Sequence, residues 1–281
     1  MDLKITKIKL QIAKILYFFV KLFYKSDKQV ANRGGINFEL YLNEGIDLHV
    51  FIFGGFQKYV YQNKLVKIAP DDTVFDVGAN IGIMSLFFAK QASAGCVHAF
   101  EPTYYAIEKF RKNMQLNPEL SELIVLNQCF VSSQNMENTD LVAYSSWPIG
   151  GMEKKHSIHC GVAKNTEKVS SITLDDYVVE KNIQKLNLIK IDTDGYELNV
   201  LKGAQIILKS LRPTIIFEIG IYIMQEHNVA FSDYYSLFHN NKYALYTAKG
   251  KIITDQNFQK HIPRYGTIDV IAIPLLSTLP N

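Results

Sequence analysis

Cysteine is scarce in this chain of 281 residues, with only Cys96, Cys129 and Cys160 present. They lie far apart, leave one thiol over in any pairing scheme, and match no zinc-ligand spacing. A disulfide framework and a zinc fold are therefore not indicated, and a reducing compartment, the cytoplasm, is the simpler setting. With 16 Gly and 8 Pro, neither a collagen-like nor a low-complexity tract can form. No unit of about 20 to 50 residues repeats, which excludes solenoids and propellers. Uninterrupted apolar runs of the about 20 residues needed to span a bilayer are also lacking. What remains is an ordinary globular composition, 48% hydrophobic and 20% charged, long enough for one large domain or two small ones.

The net charge of +3 sits at one end. Residues 1–28 hold seven lysines against Asp2 and Asp27, a local +5, so the rest of the chain carries −2. A body without basic excess does not predict a nucleic-acid partner. Residues 1–28 read as a basic amphipathic helix, from Met1 to Lys25. Lys4, Lys7, Lys14, Lys21 and Lys25 recur at helical spacing, and Ile5, Ile8, Ile12, Ile15, Leu16, Phe19, Val20, Leu22 and Phe23 fill the other faces. The lysines break the run too often for a spanning helix, and no small-residue cleavage site follows for a secretory signal. Two readings stay open: a helix lying in a membrane interface through residues 1–25, peripheral on the inner face, or a helix packed on the body with its lysines in water.

Residues 29–70 read as a β-rich lead-in without chemistry of its own, since Phe38, Leu40 and Leu42 alternate and Gly54–Gly55 punctuate a second apolar run between Ile36 and Ile68. From residue 71 onward strands alternate with helices, the pattern of a parallel sheet covered on both faces. Strands are expected at Thr73–Val77, Cys96–Phe100, Leu123–Val131, Leu186–Ile191, Pro213–Ile219, Tyr243–Thr247 and Ile268–Ile273. Helices are expected near Ile81–Gln91, Tyr104–Leu116 and Glu197–Leu208. The stretch from Ser132 to Ser170 is polar and has no period.

In such a sheet ligands bind beyond the carboxyl ends of the strands. The first strand ends in Asp76-Val77-Gly78-Ala79-Asn80-Ile81-Gly82. Its glycines permit a tight turn and close approach of a ligand to the main chain, but their spacing is not that of the dinucleotide fingerprint. Glu101, at the end of the second strand and some 20 positions on, suits a ribose. The fourth strand ends in Asp192-Thr193-Asp194-Gly195-Tyr196-Glu197, and Glu218 ends the fifth. Crowded carboxylates need a cation, a base role or hydrogen-bond donors to offset their repulsion. A divalent oxygen site, a general base with positioning partners, and helix capping by at least one of the three are the competing explanations.

The string DVGANIG, then FEP, then LIKIDTDGYELNVLKGA and PTIIFEIG resembles the FkbM family of S-adenosylmethionine-dependent methyltransferases, in order, over Asp71 to Gly220. The family more often carries Glu at the place of Asp194 and Asp at that of Ser133. The resemblance implies an α/β fold, the Rossmann-like class I methyltransferase sheet of seven strands, mostly parallel with the last antiparallel, over 71–281. It also implies that Asp76, Gly78, Asn80 and Gly82 line S-adenosyl-L-methionine, that Glu101 holds its ribose, that Val131 and Ser132 flank adenine, and that Asp192 lies near the methyl donor. On this reading the chain is an O-methyltransferase acting on a hydroxyl of a sugar, glycan or glycolipid precursor. Asp192 is the first choice as base, with Asp194, Glu197 and Glu218 behind it. A divalent metal is left open and no residue is assigned to one. A non-catalytic nucleoside-binding or membrane scaffold of the same fold, and a nicotinamide-dependent oxidoreductase, are the alternatives. His156, His159 and Cys160 lack further ligand partners, His98 reads as a packed core histidine, and Trp147 as a residue buried under the irregular loop or stacking on a sugar.

Overall fold

Val74 and Phe75 are neighbours in one strand yet belong to two different hydrophobic cores, because successive strand side chains point to opposite faces. Both faces of the sheet need a cover, and the chain supplies one for each. The computed structural model describes residues 3–139, 143–145, 148–149, 162–164, 166 and 168–275. They open with α1 (Leu3–Phe23), the strands β1 (Lys28–Arg33) and β2 (Ile36–Tyr41), then α2 (Gly45–Phe53) and the single turn α3 (Lys58–Tyr61). The alternating part follows as β3 (Thr73–Val77), α4 (Ile83–Gln91), β4 (Cys96–Phe100), α5 (Tyr104–Gln115), α6 (Pro118–Ser121) and β5 (Ile124–Asn127). Short strands β6 (Phe130–Val131), β7 (Ala143–Ser145), β8 (Val162–Lys164) and β9 (Ser171–Ile172) lead to α7 (Leu174–Glu180), β10 (Leu188–Ile191) and α8 (Glu197–Lys202). The chain continues through β11 (Thr214–Ile219), α9 (Ile221–Glu226), α10 (Phe231–Asn240), β12 (Tyr243–Thr247), β13 (Ile252–Ile253) and β14 (Ile268–Pro274).

The main sheet runs β13-β12-β14-β11-β10-β3-β4-β5. The run from β11 to β5 is parallel, while β14 is antiparallel to both β11 and β12. This is the class I methyltransferase arrangement, with β13 added as an eighth, two-residue strand on the edge. The chain builds β3, β4 and β5 outward in one direction, then returns to place β10 on the other side of β3. That reversal opens a crevice beyond β3 and β10. One face, with Phe75, Ile189 and Phe217, is covered by Tyr177 of α7, Leu198 of α8 and Phe238 of α10. The other, with Val74, Leu188 and Ile216, lies under Phe88 of α4, Phe110 of α5 and the lead-in residues Phe38, Leu40 and Phe51.

The lead-in is thus part of the main core. Lys109 of α5 pairs with Asp47 of α2 at 2.6 Å in a buried ion pair. Glu44 lies 3.3 Å from the same ammonium, and removing Lys109 would leave the fully buried Asp47 without its cation, so the pair ties α2 to α5. Asn113 of α5 accepts the Glu39 amide at 2.8 Å and donates to the Ile81 carbonyl at 2.9 Å, joining β2 to the turn after β3.

Several elements differ from the sequence expectation. The second half of the lead-in is helical, not β-rich: GIDLHVFIF lacks alternation and is packed on several sides as α2. Gly54 then takes a left-handed φ of 74° with its N–H on the Val50 carbonyl, so the glycine pair ends a helix. The third expected strand splits. Asn127 turns its amide onto the Ala99 and Val125 carbonyls, and Phe130–Val131 leave the sheet to pair with Ser171–Ile172. The helix expected to reach Leu208 stops at Lys202, because Gly203 passes so close to the Ser132 carbonyl that a Cβ would lie 2.2 Å from it. A separate π-helical turn, Ile207–Leu211, begins where Asp175 accepts the amides of Ile206 and Ile207.

Candidate active site

Strand periodicity builds the site before any loop is considered. Asp76, Lys190, Glu218 and Asp269 fall on the same face as Val74, Leu188, Ile216 and Ile271, the face that the lead-in covers. Register sets Lys190 beside Asp76 and Glu218 beside Asp269. Asp192 stands two residues past Lys190, beyond the end of β10. The Lys190 ammonium lies 3.2 Å from Asp192 Oδ2 and 3.8 Å from Asp76 Oδ1, fully within the protein. Burial pulls its pKa down, but the Asp192, Asp76 and Asp269 carboxylates overcome that and hold it above the ordinary lysine value. Asp76 is raised by burial, which outweighs the opposing Lys190 charge and the 2.6 Å hydrogen bond from Ser85.

The lead-in closes over this row. Gln57 donates from Nε2 to Asp192 Oδ2 at 3.4 Å, while its buried Oε1 has no hydrogen-bond partner. Its backbone is left-handed, φ 45°, an uncommon state for a residue with a long side chain. The pKa of Asp269 is pushed up to about 6 by burial and by the Asp192 charge, with nearby Tyr59 opposing the rise.

The first and fourth strand-end loops touch. Gly78 has φ 80°, and a Cβ there would stand 1.8 Å from the Asp192 carbonyl oxygen, so the close crossing needs glycine. Asn80, also left-handed, donates its amide to Glu101 Oε2 at 2.9 Å. Glu101 Oε1 accepts the Thr103 amide at 2.8 Å and hydroxyl at 2.6 Å. Burial raises Glu101, and these donors oppose the rise.

These parts enclose a cavity of about 280 Å³. Gly78, Asn80, Glu101, Val131, Asp192, Asp194 and Glu218 all line it, brought together from five strand ends. Asp194 is driven well above the ordinary carboxylate range by burial and then by the Asp192, Glu197 and Glu101 charges. Glu218 is driven up by burial and by Asp192, against a 2.6 Å hydrogen bond from the Thr267 hydroxyl. Both keep their protons to higher pH than a free carboxyl, which suits them to donate a hydrogen bond.

Four expected site residues stand elsewhere. Asp76 lies beneath the cavity floor as the Lys190 partner. Gly82 faces the Phe110 ring, which a Cβ would meet at 2.2 Å, and serves packing of α5. Ser132 is buried against Gly203 and does not reach the cavity wall. Glu197 is the capping carboxylate. Its Oε1 accepts the Thr193 and Gly195 amides at 2.9 and 3.1 Å, clamping the loop at the start of α8. Conversely, Lys190, Gln57, Phe56, Ile46 and Thr267 line the cavity without having been singled out. A lysine inside the apolar strand LIKI was a readable signal for the first. The others carry no local mark.

His98 is a packed core residue, its Nδ1 2.8 Å from the Tyr177 hydroxyl and its pKa lowered by burial to about 4. Trp147, His156, His159 and Cys160 lie outside the described residues. Among the described residues no three His, Cys, Asp or Glu side chains come together in a way that would hold a metal ion. Among them, too, no helix is long and apolar enough to cross a membrane.

Sheet order, crevice and acidic strand ends define a class I methyltransferase. The chain belongs to the Methyltransferase FkbM domain family, whose profile matches residues 76–246, and family membership makes S-adenosylmethionine the methyl donor. Methyltransferase 1 of Beauveria bassiana is 25% identical, matching 59% of this chain and 72% of that protein. Hexuronic acid methyltransferase AglP of Haloferax volcanii is 27% identical over 54% of this chain and 58% of its own length. The 31-O-demethyl-FK506 methyltransferase FkbM of Streptomyces tacrolimicus is 26% identical, over 50% and 62% respectively. Among solved structures, Methyltransferase FkbM from Methylobacillus flagellatus KT aligns over 74% of this chain and 45% of that one, with 15% identity and a TM-score of 0.46.

Proposed function

We propose that the chain methylates a hydroxyl of a sugar, in a glycan or glycolipid precursor, with Asp192 as the general base. The observation that carries this reading is the Asp192 carboxylate, which lines the cavity and is held from behind by Lys190 at 3.2 Å and from the side by Gln57 at 3.4 Å. The similarity to a hexuronic acid methyltransferase supports a sugar as acceptor.

The residues around the cavity fit a nucleoside. Glu101 Oε2 accepts the Asn80 amide and retains a second acceptor position for a ribose hydroxyl, while Gly78 lines the cavity with main chain alone. When bound, S-adenosylmethionine supplies a methyl group on a positively charged sulfur. A sugar hydroxyl is a poor nucleophile at neutral pH. Asp192 would take its proton as the methyl group is transferred, and Lys190 keeps that carboxylate in place. Asp194 and Glu218, protonated more readily than free carboxyls, orient the acceptor by donating hydrogen bonds.

The test is calorimetric titration with S-adenosylmethionine, followed by labelled methyl transfer to a panel of hexuronates and neutral glycosides. Glu101→Ala should lose cofactor binding. Asp192→Asn should retain it and lose about 10²–10⁴-fold in turnover, the range for a general base. Full turnover in Asp192→Asn would refute the assignment of the base.

A further inference from the structure

The helix α1 is packed on the body along one face and exposed along another. Ala13 is buried, and Leu16, Tyr17 and Val20 pack against the core beneath α2. The Tyr17 hydroxyl donates to Asp27 at 2.7 Å, Lys21 pairs with the same carboxylate at 3.0 Å, and Tyr24 stands edge-on to Phe51. The helix is therefore fixed on the body by residues that recur at helical spacing.

The face turned away from the body is apolar. Ile12, Ile15, Phe18, Phe19, Leu22 and Phe23 are 50 to 82% exposed. A spacing of three and four makes them one contiguous surface, more than a monomer ordinarily leaves to water. Along its border run Lys14, exposed, then Lys21 and the exposed Lys25, seven and four apart and hence on one line. The first 28 residues carry +5 while the rest of the chain carries −2, so the positive charge is concentrated where the apolar surface is.

We infer that this face docks the protein on an anionic lipid surface, with the phenylalanines, isoleucines and Leu22 entering the headgroup boundary and the exposed Lys14 and Lys25 resting on the lipid charges. Apolar side chains beside a one-sign stripe are the two terms that hold an interfacial helix. A second copy of the chain would match the apolar term but would bring lysine lines of like charge to the same contact. Since α1 rests on α2, which carries Ile46 into the cavity wall, the docked face and the cavity are one helix apart. The inference does not depend on the nature of the acceptor.

Flotation of the full-length chain with phosphatidylcholine vesicles, with and without phosphatidylserine, tests it. Recovery is expected with the anionic vesicles only, decreasing as salt is raised. Lys14→Glu with Lys25→Glu should weaken binding at least ~10-fold, from about 1 kcal/mol per lysine near the surface. Phe19→Glu with Leu22→Glu should abolish it. Both pairs are at exposed positions, and S-adenosylmethionine binding by each variant reports that the fold is kept. Equal recovery on neutral and anionic vesicles, or no flotation by a chain that binds the cofactor, would overturn the inference. So would a dimer in sedimentation equilibrium that Phe19→Glu with Leu22→Glu dissociates, for then the face is covered by a second copy.

Discussion

Lys190 stands between two carboxylates, 3.2 Å from Asp192, which lines the cavity, and 3.8 Å from Asp76, which lies beneath it. Replacing it with Met leaves Asp76 as a buried charge without its cation. Breaking one side of such a pair costs about 3–5 kcal/mol, so the urea midpoint of Lys190→Met should fall steeply. Lys190→Met combined with Asp76→Asn removes both charges. The double variant should be more stable than the sum of the two losses, by on the order of 1–3 kcal/mol. Additive losses would show that the pair is not coupled.

Gln57 comes from the lead-in, yet its amide reaches the same Asp192 oxygen as Lys190. Its left-handed backbone would cost nothing in glycine. Gln57→Gly should therefore leave stability unchanged or raise it by up to ~1 kcal/mol, while turnover drops about tenfold through loss of a hydrogen bond to the reacting carboxylate. Cofactor affinity should not move. A variant that is less stable and equally active would mean that Gln57 only seals the cavity.

Gly78 and Gly82 look alike in the sequence and have different jobs. At Gly78 a Cβ meets backbone of the opposite loop, and at Gly82 it meets the Phe110 ring. Gly82→Ala should lower stability by at least ~2 kcal/mol, from the left-handed φ and the overpacking together. Phe110→Leu in the same chain should recover part of that loss. Gly78→Ala has no such rescue, because backbone cannot be trimmed. Chemical denaturation of the three variants separates the two glycines.

This contrast shows how far the residues alone could be read. Thr73–Val77, Cys96–Phe100 and Tyr243–Thr247 stand at the bounds the sequence suggests, since each is a short apolar run closed by turn residues. The acidic strand ends were visible for the same reason. The capping role of Glu197 was legible, since its partners Thr193 and Gly195 lie within four residues; Gly82 and Gln57 were not readable, because their partners come from elsewhere. Gln57 and Asp192 are 135 positions apart, and Gly82 meets its ring only after α5 has folded back. The helix α2 was misread as strand because a segment buried on several sides shows neither a helical nor a strand period.

Asp269 gives the pH behaviour of the site a sign. Its carboxyl is pushed up to about 6 in the folded chain by burial and by Asp192, against about 3.9 for an unperturbed aspartate. Between those two values the folded state binds more protons than the unfolded one, so stability falls as pH rises through that window. The favourable contribution is complete below the unfolded value and gone above about 6. Asp269→Asn removes the titration. The variant should be more stable than the parent at pH 8, by up to roughly 3 kcal/mol for a shift of about two units, and its advantage should shrink toward pH 4. Thermal melts of both proteins across that range measure the difference directly. A constant gap at all pH values would mean that the Tyr59 contact, and not the buried charge, governs this position.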